Sequence, residues 1–265
     1  MKLSNLHEYA QEFEKRLRLK TFPFAVKLLE KEADIPKGAK RPKKDFGYHL
    51  AACQGFAMSR RNGVTLAMLK EDMWCFEPVI GYGIAEPPVY FMEGHNRFPE
   101  DVATLEAGSH FAQEFPRLES GRYIGVLSAP LATVTFEPDV VLFYCDSMQL
   151  NLLLLGMEYR DGYGITCQIS SHAACVYAIV PPIQTGKCQI AIPCRGDHYQ
   201  AMAGDNELIF AAPMDKLADI LAGLRHCEEY DTFNLSLLPT NYWMRREPEL
   251  RESYMKIAKM IGMLK

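Results

Sequence analysis

The chain reads as an α+β protein, with mixed or antiparallel sheets and flanking helices, and with two related halves left open. Three observations predict this class. Runs of β-branched and aromatic residues outnumber clear strand–helix–strand units, and the segments between them repeat apolar residues at helical spacing. In addition, Phe24-Ala25-Val26-Lys27-Leu28 is loosely echoed by Asp139-Val140-Val141-Leu142-Phe143, too weakly to make a repeat, while each half contains apolar strands plus helices. With 265 residues, 48% of them hydrophobic, the chain can bury a substantial core. A single domain spanning 1–265 is expected, with two subdomains joined near 94–122 as the alternative.

Each element follows from local pattern. Ser4 is placed to cap a first helix whose Leu6, Ala10, Phe13 and Leu17 share one face. Phe22-Pro23-Phe24 then leads into a strand over 25–29. The basic run 37–44, interrupted by Gly38 and Pro42, reads as a solvated loop. A helix is expected over 49–61, stopped by Asn62-Gly63, and a short apolar piece over 64–69. Residues 86–121 are rich in proline and look like a lid or a crossover, with one helix near 101–115. Strands are expected at 131–135 and 140–144, and a buried helix at 147–158. Ser170-Ser171 should cap the next helix, which Pro181-Pro182 should stop. A strand over 188–192 should deliver Cys194-Arg195-Gly196-Asp197 to a turn. A strand over 207–211, a helix over 215–224, a proline-bounded stretch over 239–248 and a final helix over 249–264 complete the chain.

A net charge of −4 and a pI near 6.0 argue against a nucleic-acid surface, which needs clustered Lys and Arg. No apolar run approaches the ~20 residues of a membrane span, and the first twenty residues have helical rather than signal-peptide spacing. A cytoplasmic protein is expected. Eight cysteines in a reducing compartment do not read as four disulfides, so they are buried hydrophobes, ligands or reactive thiols.

Several of these pieces occur in a fixed order: Phe22-Pro23-Phe24-Ala25-Val26-Lys27-Leu28, Cys53-Gln54 followed by Cys75, Pro138-Asp139-Val140-Val141-Leu142, and Pro193-Cys194-Arg195-Gly196-Asp197 followed by Glu207 and Pro213. In that order they resemble family 169 of the domains of unknown function, which is widespread in archaea and anaerobic bacteria. Members of that family often carry Arg after the last Gly-Asp, where this chain has His198. The resemblance implies a family and no reaction.

The chemistry is therefore read from residue types. Cys53, Cys75, Cys175 and Cys194 each stand beside a turn signal or a helix start, where thiolates are favoured. As a dispersed set they suggest an iron–sulfur cluster, of the 4Fe–4S type, with zinc or another metal and buried metal-free thiols as the alternatives; neither the compact C-x₂-C-x₂-C run of bacterial ferredoxins nor a paired C-x₂-C zinc motif is present. Four thiolates suit electron transfer, while three with an open iron position suit a Lewis acid. Cys188 is the candidate substitute ligand, and Cys145, Cys167 and Cys227 read as core or surface thiols. His172, Arg195 and His198 are the candidate catalytic residues, with His49, Arg60 and Asp197 also flanking the cysteines. The expected partners are a small-molecule substrate and an electron-donor protein, because no G-x-G-x-x-G fingerprint marks a nicotinamide site; a homo-oligomer is compatible with the sequence. Two other readings stand beside this one. In the first, the protein is a nonenzymatic module whose Phe22, Phe24, Trp74, Tyr82, Tyr90, Phe91 and Tyr123 line a small-ligand pocket, with the cysteines free and buried. In the second, Cys53 or Cys194 is a nucleophile activated by histidine.

Overall fold

A computed structural model describes residues 3–229 and 252–263. The first helix, α1 (Leu3–Leu17), buries Leu6, Ala10, Phe13 and Leu17, the face that the spacing predicts. Ser4 lies inside this helix rather than at its cap, because the helical turn already includes Leu3. The chain continues through β1 (Phe24–Leu29), α2 (Ala52–Asn62), β2 (Leu66–Leu69) and α3 (Phe76–Gly81). Next come α4 (Val89–Met92), α5 (Leu105–Glu114), β3 (Gly125–Pro130), β4 (Val140–Cys145) and α6 (Ser147–Glu158). They are followed by α7 (Ala174–Thr185), β5 (Gln189–Ala191), α8 (Arg195–Ala201), β6 (Leu208–Pro213) and α9 (Leu217–Glu229). These elements belong to one compact unit, Met1–Tyr230, while Asp231–Lys265 forms a second, in which α10 (Glu252–Met260) is described. The expected proline-bounded stretch 239–248 lies outside the described residues.

Among the described residues, six strands form one antiparallel sheet in the order β2-β3-β1-β4-β6-β5. The protein is therefore α+β. The two phrases that echo each other are not halves of a repeat but adjacent central strands, with Phe24 opposite Leu142. β4 reads as a continuous apolar run, and β1 as one broken only by Lys27, because both faces of the sheet are covered. On one face, Phe24, Val26 and Tyr144 join Phe56 of α2 and Val176 of α7 in the core. On the other, Phe143 meets Phe13 of α1 edge-on at 4.9 Å, and α6 and α9 pack together beside it. Among the described residues, no helix is long and apolar enough to cross a membrane.

The structure corrects several local expectations. The strand expected at 131–135 is instead β3, whose Gly125, Ser128 and Pro130 disguise a fully buried strand; Leu131–Thr133 is a 3₁₀ turn. Ser128 fits that interior because its hydroxyl pairs with that of Ser59 at 2.8 Å. Helix α7 starts at Ala174, preceded by Ala173 in the left-handed conformation and without a serine cap, and it runs through Pro181-Pro182. The helix ends instead at Gly186, where the Thr185 hydroxyl and the Gly186 N–H bond the carbonyls of Pro181 and Pro182. The basic loop is only partly solvated. Arg41 is held by Asp72 at 2.5 Å and by Glu71 at 2.6 Å, which anchors the turn Pro42–Phe46 against the fold.

Candidate functional site

Cys53, Cys75, Cys175 and Cys194, which lie 141 residues apart at the extremes of their span, line one cavity of about 160 Å³. The fold achieves this by aiming four helix starts at one point. Cys53 and Cys175 are the second residues of α2 and α7, and Cys75 and Cys194 immediately precede α3 and α8. Packing of α2 on α8 and of α3 on α7 brings the four together. Residues 194–197 are thus a helix entry and not a plain turn. The Cys194 sulfur accepts the Asp197 N–H, while the Asp197 carboxylate receives the Cys194 N–H at 3.4 Å. Gly196 keeps the opening clear: a Cβ there would lie 3.6 Å from the Cys194 sulfur and 3.8 Å from that of Cys53.

Burial pushes the Cys194 thiol up to about 11 and the Cys75 thiol up to about 12, and it raises Cys53 and Cys175 further. The four sulfurs also raise one another, as like charges sharing a site must. Backbone N–H groups pull the other way, from Gln54 to Cys53, from Glu77 to Cys75, and from Ala174 and Asp197 to Cys194. Four simultaneous thiolates therefore require a bound cationic centre. Among the described residues, no three His, Cys, Asp or Glu side chains are grouped as a single metal ion would hold them. A lone zinc ion gathers every sulfur within about 2.3 Å, whereas a multinuclear cluster spreads its ligands around a larger core. The donor set, with one cysteine from each of four helix starts around an open space, fits the second kind of group better than the first.

Charged side chains frame one wall. The Cys75 thiol faces a Glu77 carboxylate oxygen at 3.6 Å, and the buried Arg97 reaches Glu77 at 3.4 Å and Asp101 at 3.1 Å while lying 4.0 Å over the Phe111 ring. His172 lines the cavity with its Nε2 3.9 Å from Asp101, and burial and the Arg97 charge lower its pKa. Arg195 also lines the cavity, with its guanidinium 5.5 Å from the Tyr199 ring. The third candidate, His198, is not part of the lining; its Nδ1 lies 3.2 Å from the Ala203 carbonyl. Cys188 lines a different cavity, while Cys145 and Cys227 are buried and Cys167 is half-buried. His49 is exposed, and Arg60 is buried behind the site.

Behind Cys194 runs a buried polar chain. The Cys194 thiol donates to Asp197 at 3.2 Å, and the other Asp197 oxygen accepts from the Tyr144 hydroxyl at 2.6 Å. Arg60 lies 3.9 Å over the Tyr144 ring, donates to the Ala201 carbonyl at 3.0 Å and faces Glu207 at 3.7 Å. Glu77 and Gln200 line the cavity without having been singled out in the sequence. Glu77 could have been, two positions after Cys75; Arg97 carries no local signal, since it reaches the site only through tertiary packing. Of the seven aromatic residues read as a ligand pocket, Phe24, Tyr82 and Phe91 are core, and Trp74 alone borders this cavity.

The chain belongs to the family DUF169, described as "Uncharacterised ArCR, COG2043", whose model matches residues 12–223. It is similar to the "Uncharacterized protein MJ0308" of Methanocaldococcus jannaschii, with 22% identity over 239 residues, 85% of this chain and 96% of that protein. No solved structure matches the chain.

Proposed function

We propose that the protein binds an iron–sulfur cluster, of the 4Fe–4S type, through Cys53, Cys75, Cys175 and Cys194, and acts as a redox or cluster-assisted enzyme on a small molecule. The observation that carries this reading is the meeting of four thiols at four helix starts around one small cavity. Such a group supplies one-electron chemistry, or a Lewis-acidic iron where a ligand position is open. The chain's own residues supply the rest. Backbone N–H groups at Cys53, Cys75 and Cys194 stabilise negative sulfur, and Glu77, held by Arg97, fixes the charge on one wall. Arg195 offers an exposed cation to an anionic substrate, and His172, whose pKa burial and the Arg97 charge lower, can accept a proton as a neutral imidazole. A cytoplasmic setting and an external electron-donor protein belong to the same reading, since free thiols of this kind need a reducing compartment. The raised thiol pKa values support a second reading, in which the cysteines stay protonated and the cavity takes a small neutral ligand.

Anaerobic purification with iron and sulfide supplied separates the two. Broad visible absorption with about four irons and four sulfides per chain is expected for the first. Protein that takes up neither iron nor sulfide, while remaining folded, leaves the second.

A further inference from the structure

We infer that a second cavity, where α6 ends, binds an amphiphilic anion: a molecule with an apolar body and one carboxylate or phosphate head. This site is separate from the cysteine cavity and does not depend on a cluster. Its volume is about 500 Å³, against about 160 Å³ at the cysteines. That places it within the usual range of small-molecule pockets, roughly 300–1,000 Å³.

The cavity exists because the chain leaves α6 at Glu158 and runs through residues 159–173 without forming another helix or strand. This segment stands away from the start of α9 and from the turn joining α7 to β5. Met157, Ile220 and the buried Cys188 make the inner surface apolar. The rim is cationic. Of the two carboxylates lining the cavity, Asp219 is taken by Arg160 at 2.5 Å and Asp161 caps the Tyr163 N–H at 3.1 Å. The two ammonium groups, Lys187 and Lys216, make no hydrogen bond or ion pair among the described residues. Lys216 is near enough to the inner surface for its charge to act on the Cys188 thiol, as is the exposed Asp215 beside it in the opposite sense. An apolar interior bounded by two uncommitted cations is complementary to an anion with a hydrocarbon or aromatic body, and not to a neutral polar solute or a cation.

The test measures binding calorimetrically with octanoate, octyl phosphate, octanamide and inorganic phosphate, on protein with and without iron. Octanoate or octyl phosphate should bind at least about tenfold more tightly than octanamide, which lacks the charge, and than inorganic phosphate, which lacks the body. The tighter of the two amphiphiles identifies the head. Charge reversal of the exposed lysines, Lys187→Glu with Lys216→Glu, should weaken binding by tenfold or more, and Thr166→Trp, also exposed, should weaken it by filling space. Affinity should be the same with and without iron. Equal binding of octanamide and octanoate, or amphiphile binding unchanged in both variants, overturns the proposal.

Discussion

The Asp197 carboxylate accepts a 2.6 Å hydrogen bond from the buried Tyr144 hydroxyl, joining the helix that follows Cys194 to the centre of the sheet. Burial and the nearby Asp197 raise the Tyr144 pKa well above its usual value, so the hydroxyl remains a donor. Tyr144→Phe keeps the ring beneath Arg60 but leaves one Asp197 oxygen without this partner. A loss of about 1–3 kcal/mol in denaturant unfolding is expected. Arg60→Met should cost more, about 3–5 kcal/mol, because Glu207 is then buried without its countercharge. Wild-type stability in Tyr144→Phe would show that the bond does not brace α8.

The approach of α3 to α7, which brings Cys75 toward Cys175, depends on Gly81. A Cβ there would come within 2.5 Å of a Val176 methyl. Gly81→Ala should therefore push the helices apart, lower stability by about 1–3 kcal/mol and reduce iron uptake. Val176→Ala in the same chain should restore much of both, because it removes the clashing methyls. If the double variant is no better than the sum of the single ones, the contact is not what limits the spacing.

Much of this architecture is legible in the sequence where one physical signal acts alone. Leu6, Ala10, Phe13 and Leu17 define α1 because a single apolar stripe faces the core. Gly63 ends α2 in the left-handed conformation, as its place after Asn62 suggests. The missed elements are those where tertiary context overrides local preference. Gly125, Ser128 and Pro130 have little strand character, yet they lie between two partner strands that supply the ladder. Pro181-Pro182 stays in a helix whose residues Ala174–Val180 are all buried in the core, so tertiary packing outweighs the local stop signal. At the site, the four cysteines could be singled out because each adjoins a helix start. Arg97, Asp101 and Tyr144 could not, since their relation to the cysteines exists only once the chain has folded.

Asp139, in the Pro138-Asp139-Val140 stretch, has its pKa raised by burial although it accepts the Leu28 N–H at 2.7 Å. A carboxyl raised in the folded state holds its proton there more readily than in the unfolded chain. Its ionisation therefore lowers stability as pH rises above the ordinary value of 3.8 through the raised one, and protonation recovers that loss on acidification. Asp139→Asn keeps an acceptor for Leu28 without the charge. At pH 7 it should be as stable as the wild type or more so, and the gap should narrow as pH falls toward 4. A variant less stable at neutral pH would mean that the charge itself supports the turn.

The cysteine site should leave a pH signature that depends on what it holds. In metal-free protein the Cys194 and Cys75 thiols are raised to about 11 and about 12 from an ordinary 9.0, so they stay protonated when folded. Unfolding then releases protons above pH 9, and stability should fall by up to about 1.4 kcal/mol per pH unit for each such thiol, with little change below pH 9. Ligation reverses the sign. A ligating sulfur carries no proton when folded, while the unfolded thiol takes one up below pH 9, so loaded protein should gain stability from pH 7 to 9 and then level off. Thermal unfolding across pH 7–10.5, with and without iron and sulfide, measures both slopes. Cys75→Ser with Cys194→Ser should make the metal-free decline above pH 9 shallower without abolishing it, because the buried Cys53, Cys175, Cys145 and Cys188 thiols are raised as well. An iron-treated sample that follows the metal-free curve would mean that the thiols are not ligands.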